Sequence, residues 1–343
     1  MFEGCFTALV TPMKSSFEID FSGLKKLVQF QIEAGVKGIV VMGTTGESPT
    51  ISWQDHKKVI ERVHDELNDR AVTIAGTGSN STEEAFEGTA FVHDLGIKAA
   101  LLVDPYYNGP SSLEIRKEYI EPLSCRFPEI QFIPYIIPGR TGTQLLSQDL
   151  AVLHHDQGNV NAVKEATGDL ANMVLTRKLC GNDFDILSGD DDKTREMMTS
   201  PHIRASGVIS VISNFAPAAV QEMTQAFLSG NAERGFKIAQ ALEPLFKIVT
   251  VKSEEDTPYG ARAVKARNPL PCKTLMNVLG LSSGPCRQPL GKMTETGLTM
   301  ILEQAKQVYE NNPWILEPVE AFFGVNLKDR LYYKQYWTNL YYV

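Results

Sequence analysis

The chain has 343 residues, 43% hydrophobic and 22% charged, which suits a protein with a large buried core and argues against a disordered one. Its net charge of −8 offers nothing like the basic excess that a nucleic-acid or anionic-membrane partner demands. The five cysteines (Cys5, Cys125, Cys180, Cys272 and Cys286) are scattered and form no CxxC pair, so neither a disulfide framework nor a zinc ribbon is indicated and a reducing, cytoplasmic setting is expected.

In chain order, short apolar runs alternate with helical patterns. Residues 6–11 read as a first strand, and the absence of a basic flank argues against a signal peptide. A helix is expected over 21–34, and the unbroken apolar run 38–42 reads as a strand buried on both faces. Helix 53–67 opens on Ser52 and Asp55, spaced as a capping box. Strand 72–75 precedes helix 82–95, which starts on Ser81 and Glu84 in the same spacing. Then come strand 99–103, helix 113–126, strand 131–137 and helix 148–155. The remaining strands are 162–165, 184–188 and 205–211, separated by helices near 170–180 and 193–200. Eight βα units in about 230 residues match the size of a (β/α)₈ TIM barrel. A doubly wound sheet fits the same alternation. Residues 231–343 read as a C-terminal helical appendage with helices at 233–249, 273–279 and 297–311. The charged stretch 252–267 reads as a surface loop. The aromatic-rich tail beyond Asn311 either packs between copies of the chain or docks on its own barrel.

In such a barrel the chemistry sits where strands end. The second strand runs into Gly43-Thr44-Thr45-Gly46-Glu47, whose amides and hydroxyls suit a small carboxylate, although a plain turn would use the same glycines. On the sixth strand, alternation turns Lys164 and Ala162 inward if Val163 faces the helices. A lysine inside a barrel loses hydration, its pKa falls, and its amine becomes a nucleophile; a lysine at a strand end can also snorkel to solvent. Tyr135 can relay protons, and Arg140 can grip a carboxylate with two N–H groups. The acidic run Asp190-Asp191-Asp192 reads as a capped helix start. No histidine or cysteine spacing suggests a metal, and Gly76-Thr77-Gly78 lacks the third glycine of a dinucleotide fingerprint.

The order of these motifs is more specific than any one of them. Gly-Thr-Thr-Gly-Glu, Pro105-Tyr106-Tyr107-Asn108, Tyr135 before Pro-Gly-Arg-Thr-Gly, Val-Lys-Glu-Ala-Thr-Gly around Lys164, Leu-Ser-Gly-Asp-Asp at Gly189 and Gly-Val-Ile-Ser-Val at Ile209 together resemble the dihydrodipicolinate synthase family. The resemblance implies that Lys164 forms an imine with pyruvate, without metal or other cofactor. It further implies that Thr45, Tyr135 and Tyr107 relay protons with Thr44 in the same network, Tyr107 coming from a neighbouring subunit. Arg140 would hold the carboxylate of aspartate semialdehyde, and Gly189 and Ile209 would line the pyruvate pocket. A homo-oligomer, dimer or tetramer, follows from the role of Tyr107. Lysine-sensitive relatives would bind L-lysine at positions matching Ser48, Trp53, His56, Asn80, Glu84 and Tyr106. A Schiff-base lyase acting on sialic acid or a 2-keto-3-deoxy sugar acid is the alternative reading; such enzymes generally lack an arginine at position 140. Residues 252–266 look like an insertion, and the tail after Asn311 exceeds the family's usual length.

Overall fold

The computed structural model describes residues 2–343. Eight parallel strands close on themselves: β1 (Gly4–Ala8), β2 (Gly38–Val41), β3 (Val72–Gly76), β4 (Ala99–Val103), β5 (Gln131–Ile136), β6 (Ala162–Glu165), β7 (Asp185–Ser188) and β8 (Gly207–Ser210). Closure comes from β8 pairing with β1, with Phe6 opposite Ile209, so the doubly wound alternative falls.

The period of two decides what faces where. Phe6, Val40, Ile74, Leu101, Ile133, Leu187 and Ile209 fill the barrel interior. Their neighbours Cys5, Ile39, Val41, Ala100, Phe132, Ile186 and Val208 belong to the larger outer core beneath the helices. Because both faces are covered, the strands read as continuous apolar runs. Ala162 lies in the inner cluster and Val163 in the outer one, which turns Lys164 inward as alternation demands. The helix Trp53–Leu67 is capped by Ser52 Oγ accepting from the Asp55 amide, and Thr82–Asp94 by Ser81 Oγ accepting from that of Glu84.

Two regions differ from the sequence reading. Residues 252–267 are not a loop: β9 (Thr250–Thr257) and β10 (Gly260–Arg267) form an antiparallel hairpin, with Glu255 opposite Arg262 and ion-paired to it at 3.3 Å. Most of its side chains are exposed on both faces, so no alternation of apolar and polar residues betrays the strands. The appendage is therefore helical apart from this hairpin, with helices Ala232–Phe246, Leu270–Leu279 and Glu295–Asn311. The tail, in turn, docks on its own molecule. Helices Glu317–Phe323 and Leu327–Tyr332 bury Val319, Leu327 and Leu331. Phe322 and Phe323 each stack with Phe30 of the first barrel helix at 5.2 Å, and the Arg330 guanidinium donates to the carbonyls of Val278 and Asn277. No helix among the described residues is long and apolar enough to cross a membrane.

Candidate active site

Lys164 on β6 and Tyr135 on β5 are register partners, so both side chains enter the barrel at one level. The Lys164 amine lies 4.1 Å from the centre of the Tyr135 ring and is 5% exposed as a residue. Burial pushes its pKa down to about 8; Asp190 and Asp191 oppose that fall, and Arg140 adds to it. The Tyr135 phenol is pushed up to about 12, again chiefly by burial, against the pull of Arg140 and of a hydrogen bond with Thr44. The site thus holds an amine that loses its proton readily beside a phenol that keeps its own.

The loop after β2 forms one wall. Of the two threonines, Thr44 is the one hydrogen-bonded to Tyr135. Thr45 is engaged elsewhere, its Oγ1 accepting from Asn268 Nδ2 at 2.9 Å. The loop is pinned from below by Glu47, which adopts φ +62° and makes a fully buried ion pair with Lys273 of helix Leu270–Leu279 at 2.5 Å. Lys273 also donates to the carbonyls of Thr11 and Pro285, and Glu47 accepts the Arg287 amide, so this charge pair is fully bonded.

Gly189 donates its amide to the Glu165 carbonyl at 2.7 Å. A Cβ there would stand 2.7 Å from that of Ala166 and 3.3 Å from Lys164 Cε, so the absence of a side chain keeps the lysine free to move. Ile209 is fully buried in the inner cluster. Above Tyr135 opens a cleft of about 210 Å³, lined by Thr44, Tyr106 and Ile137 among others, with Arg140 at its mouth. Arg140 is exposed and donates to the Asn268 carbonyl at 2.8 Å. Tyr107 is not brought into this network: it is 93% exposed, at φ +85°, and makes no hydrogen bond to Tyr135 among the described residues.

The residues matching a lysine site are partly gathered. Ser48 and Tyr106 share the main cleft, while Asn80 and Tyr106 line an adjoining groove. The Glu84 carboxylate is hydrogen-bonded to the Ser79 hydroxyl. His56 is buried, its Nε2 lies 2.7 Å from the Gly76 carbonyl, and burial pushes its pKa down to about 4, which favours the neutral ring. Trp53 packs on that ring at 4.5 Å and against Gly88.

The acidic run is a second correction. No side chain caps the short helix there; instead the Asp191 carboxylate binds the Ser210 hydroxyl and the amides of Val211 and Ile212, joining the end of β7 to the end of β8. No group of side chains suited to a metal ion occurs among the described residues.

Sequence reading missed several participants. Gly76 and Gly78 line the cleft although their motif meant nothing as a nucleotide loop; a Cβ at Gly76 would stand 2.3 Å from the Met42 carbonyl. Asn268 gave no signal beyond its place before Pro269. Asp104, fully buried at the end of β4, accepts the Leu145 amide with one carboxyl oxygen while the other has no partner, and burial pushes its pKa up to about 7.

With this geometry in hand, comparison with known proteins is specific. The model of the dihydrodipicolinate synthetase family matches residues 1–308. A 4-hydroxy-tetrahydrodipicolinate synthase from Methanocaldococcus jannaschii is 38% identical over 295 residues, covering 86% of this chain and 94% of that protein. One from Syntrophus aciditrophicus is 39% identical over 311 residues, covering 91% and 98%. Among solved structures, a dihydrodipicolinate synthase from Cyanidioschyzon merolae with lysine bound superposes with a TM-score of 0.81 at 32% identity, covering 90% of this chain and 98% of that one.

Proposed function

The chain belongs to the dihydrodipicolinate synthetase family, and from that premise we infer that it is a Schiff-base lyase, a 4-hydroxy-tetrahydrodipicolinate synthase condensing pyruvate with L-aspartate 4-semialdehyde. The observation that carries the reading is the buried Lys164 amine, depressed to about 8 and aligned with Tyr135. A neutral amine adds to the C2 carbonyl of pyruvate, and loss of water gives the imine. Removal of a C3 proton then gives an enamine, whose carbon attacks the aldehyde of the second substrate. The amine of that substrate displaces Lys164 and closes the ring. Tyr135, held by Thr44, shuttles protons for these steps, and Arg140 receives the semialdehyde carboxylate. Thr45, Gly189 and Ile209 bound the pyruvate end. We further propose that Tyr107, so exposed here, completes the relay in a partner subunit, which makes the working unit at least a dimer.

The test is borohydride trapping with pyruvate, which should add one reduced pyruvyl group to the peptide holding Lys164. It is followed by turnover assays with aspartate semialdehyde beside N-acetylneuraminate. Unchanged labelling of Lys164→Ala, or turnover of the sugar acid alone, would remove the assignment.

A further inference from the structure

A second guanidinium lies beside Arg140. Arg267 ends β10, and its Nη1 donates to the Gly139 carbonyl at 3.0 Å. Across the same seam Arg140 donates back to the carbonyl of Asn268, the next residue along, at 2.8 Å. Each arginine is thereby anchored on the segment that carries the other, and the Arg267 charge bears unfavourably on that of Arg140. Neither forms an ion pair among the described residues. Arg70, Arg116, Arg234, Arg262 and Arg287 each stand against a carboxylate, whereas these two do not. Asp190 bears favourably on Arg140 without pairing with it, so an anion that reaches both guanidinium groups still gains from each. Each guanidinium has five N–H donors, and the anchors occupy only one apiece. Backbone anchoring from opposite sides also fixes both groups beforehand, so little side-chain freedom remains to be lost on binding.

We propose that Arg267 is a specificity-determining residue which, with Arg140, forms a two-guanidinium clamp on the carboxylate of the aldehyde substrate. The inference rests on the condensation proposed above and deepens it: the hairpin, exposed over most of its length, brings the second charge to the mouth. Pyruvate, bound at the floor beside Lys164, lies beyond this clamp.

Steady-state kinetics of Arg267→Ala and Arg267→Lys test it, with pyruvate and aspartate semialdehyde varied in turn. In Arg267→Ala the KM for the semialdehyde should rise about 3- to 10-fold, the range of a charge-assisted bond discounted for partial exposure. The KM for pyruvate should stay put, and Arg267→Lys should recover part of the loss. The salt dependence of the semialdehyde KM should also flatten in Arg267→Ala. A parent enzyme that condenses the semialdehyde, beside an Arg267→Ala variant with the same KM for it, overturns the clamp and leaves the condensation standing. Equal increases for both substrates overturn it too, because they mean that Arg267 only supports the loop at Gly139. A parent enzyme that forms the pyruvate imine but never condenses the semialdehyde removes both readings.

Discussion

Replacing Asp190 by Asn should make the Lys164 amine easier to deprotonate. The main cause of its low pKa is burial, and the largest influence in the other direction is the Asp190 carboxylate. At pH 7, an amine of pKa about 8 is roughly a tenth neutral, whereas an ordinary lysine near 10.5 is neutral about three times in ten thousand. Burial therefore multiplies the population of the nucleophile by about 300. The rate of imine formation should climb about tenfold per pH unit below 8 and level off above it, since only the neutral form adds to the carbonyl. Without the Asp190 charge the amine loses an attraction that favours its protonated form, so the midpoint must move down. A midpoint one pH unit lower takes the neutral fraction at pH 7 from about a tenth to about half, a roughly fivefold faster addition. The assay is rapid-quench borohydride trapping with pyruvate between pH 5.5 and 10, reading the labelled protein by mass. A parent profile that keeps rising through pH 10 would refute the role of burial. A midpoint in Asp190→Asn that is unchanged or higher would refute the role assigned to the carboxylate.

Glu47→Gln or Lys273→Met should each destabilise the fold by about 3–5 kcal/mol, because one buried charge is left without its partner; Glu47→Leu combined with Lys273→Met should lose less than either single change, as read by urea denaturation. Tyr107→Phe and Tyr135→Phe should each be nearly inactive alone but regain activity when co-expressed, since a mixed pair contains one site with both tyrosines. Mixed oligomers without activity would show that Tyr107 acts within its own chain or not at all. Removing the residues after Asn312 strips the cover from Phe30, so the truncated protein should melt earlier and bind a hydrophobic dye; identical melting would show that the docked tail contributes nothing. L-lysine, tested at subsaturating pyruvate beside D-lysine, should slow the enzyme, and Glu84→Ala should weaken that effect. Inhibition untouched by this variant would place the effector elsewhere.

The barrel could be read from the sequence because its strands are covered on both sides, so each appears as an uninterrupted apolar run with turn residues around it. Lys164 could be placed for the same reason: with Val163 among the outer residues, period two leaves the lysine only the interior. What stayed hidden depended on contacts between distant segments. Thr45 and Asn268 are 223 positions apart, and Glu47 and Lys273 are 226 apart, with no local pattern announcing either pair. Which of Thr44 and Thr45 meets Tyr135 turns on side-chain direction in one loop, which spacing does not encode. The hairpin escaped because exposure on both faces removes the burial contrast on which strand recognition depends. The burial of His56 was not legible because the carbonyl that holds it belongs to Gly76 on β3.

The bond from Asn268 to Thr45 has a consequence for how the enzyme comes to life during synthesis. All eight barrel strands are complete by Ser210, yet Thr45 and Arg140 both depend on Asn268, and Glu47 depends on Lys273. Residues 1–230 hold all eight strands, and Lys164 with them, but neither Asn268 nor Lys273. In a nascent chain of that length the mouth is still unassembled, with the threonine loop and Arg140 waiting for partners not yet translated. The entrance is therefore completed only by the last quarter of the message, and a prematurely terminated product would lack the residues that brace it.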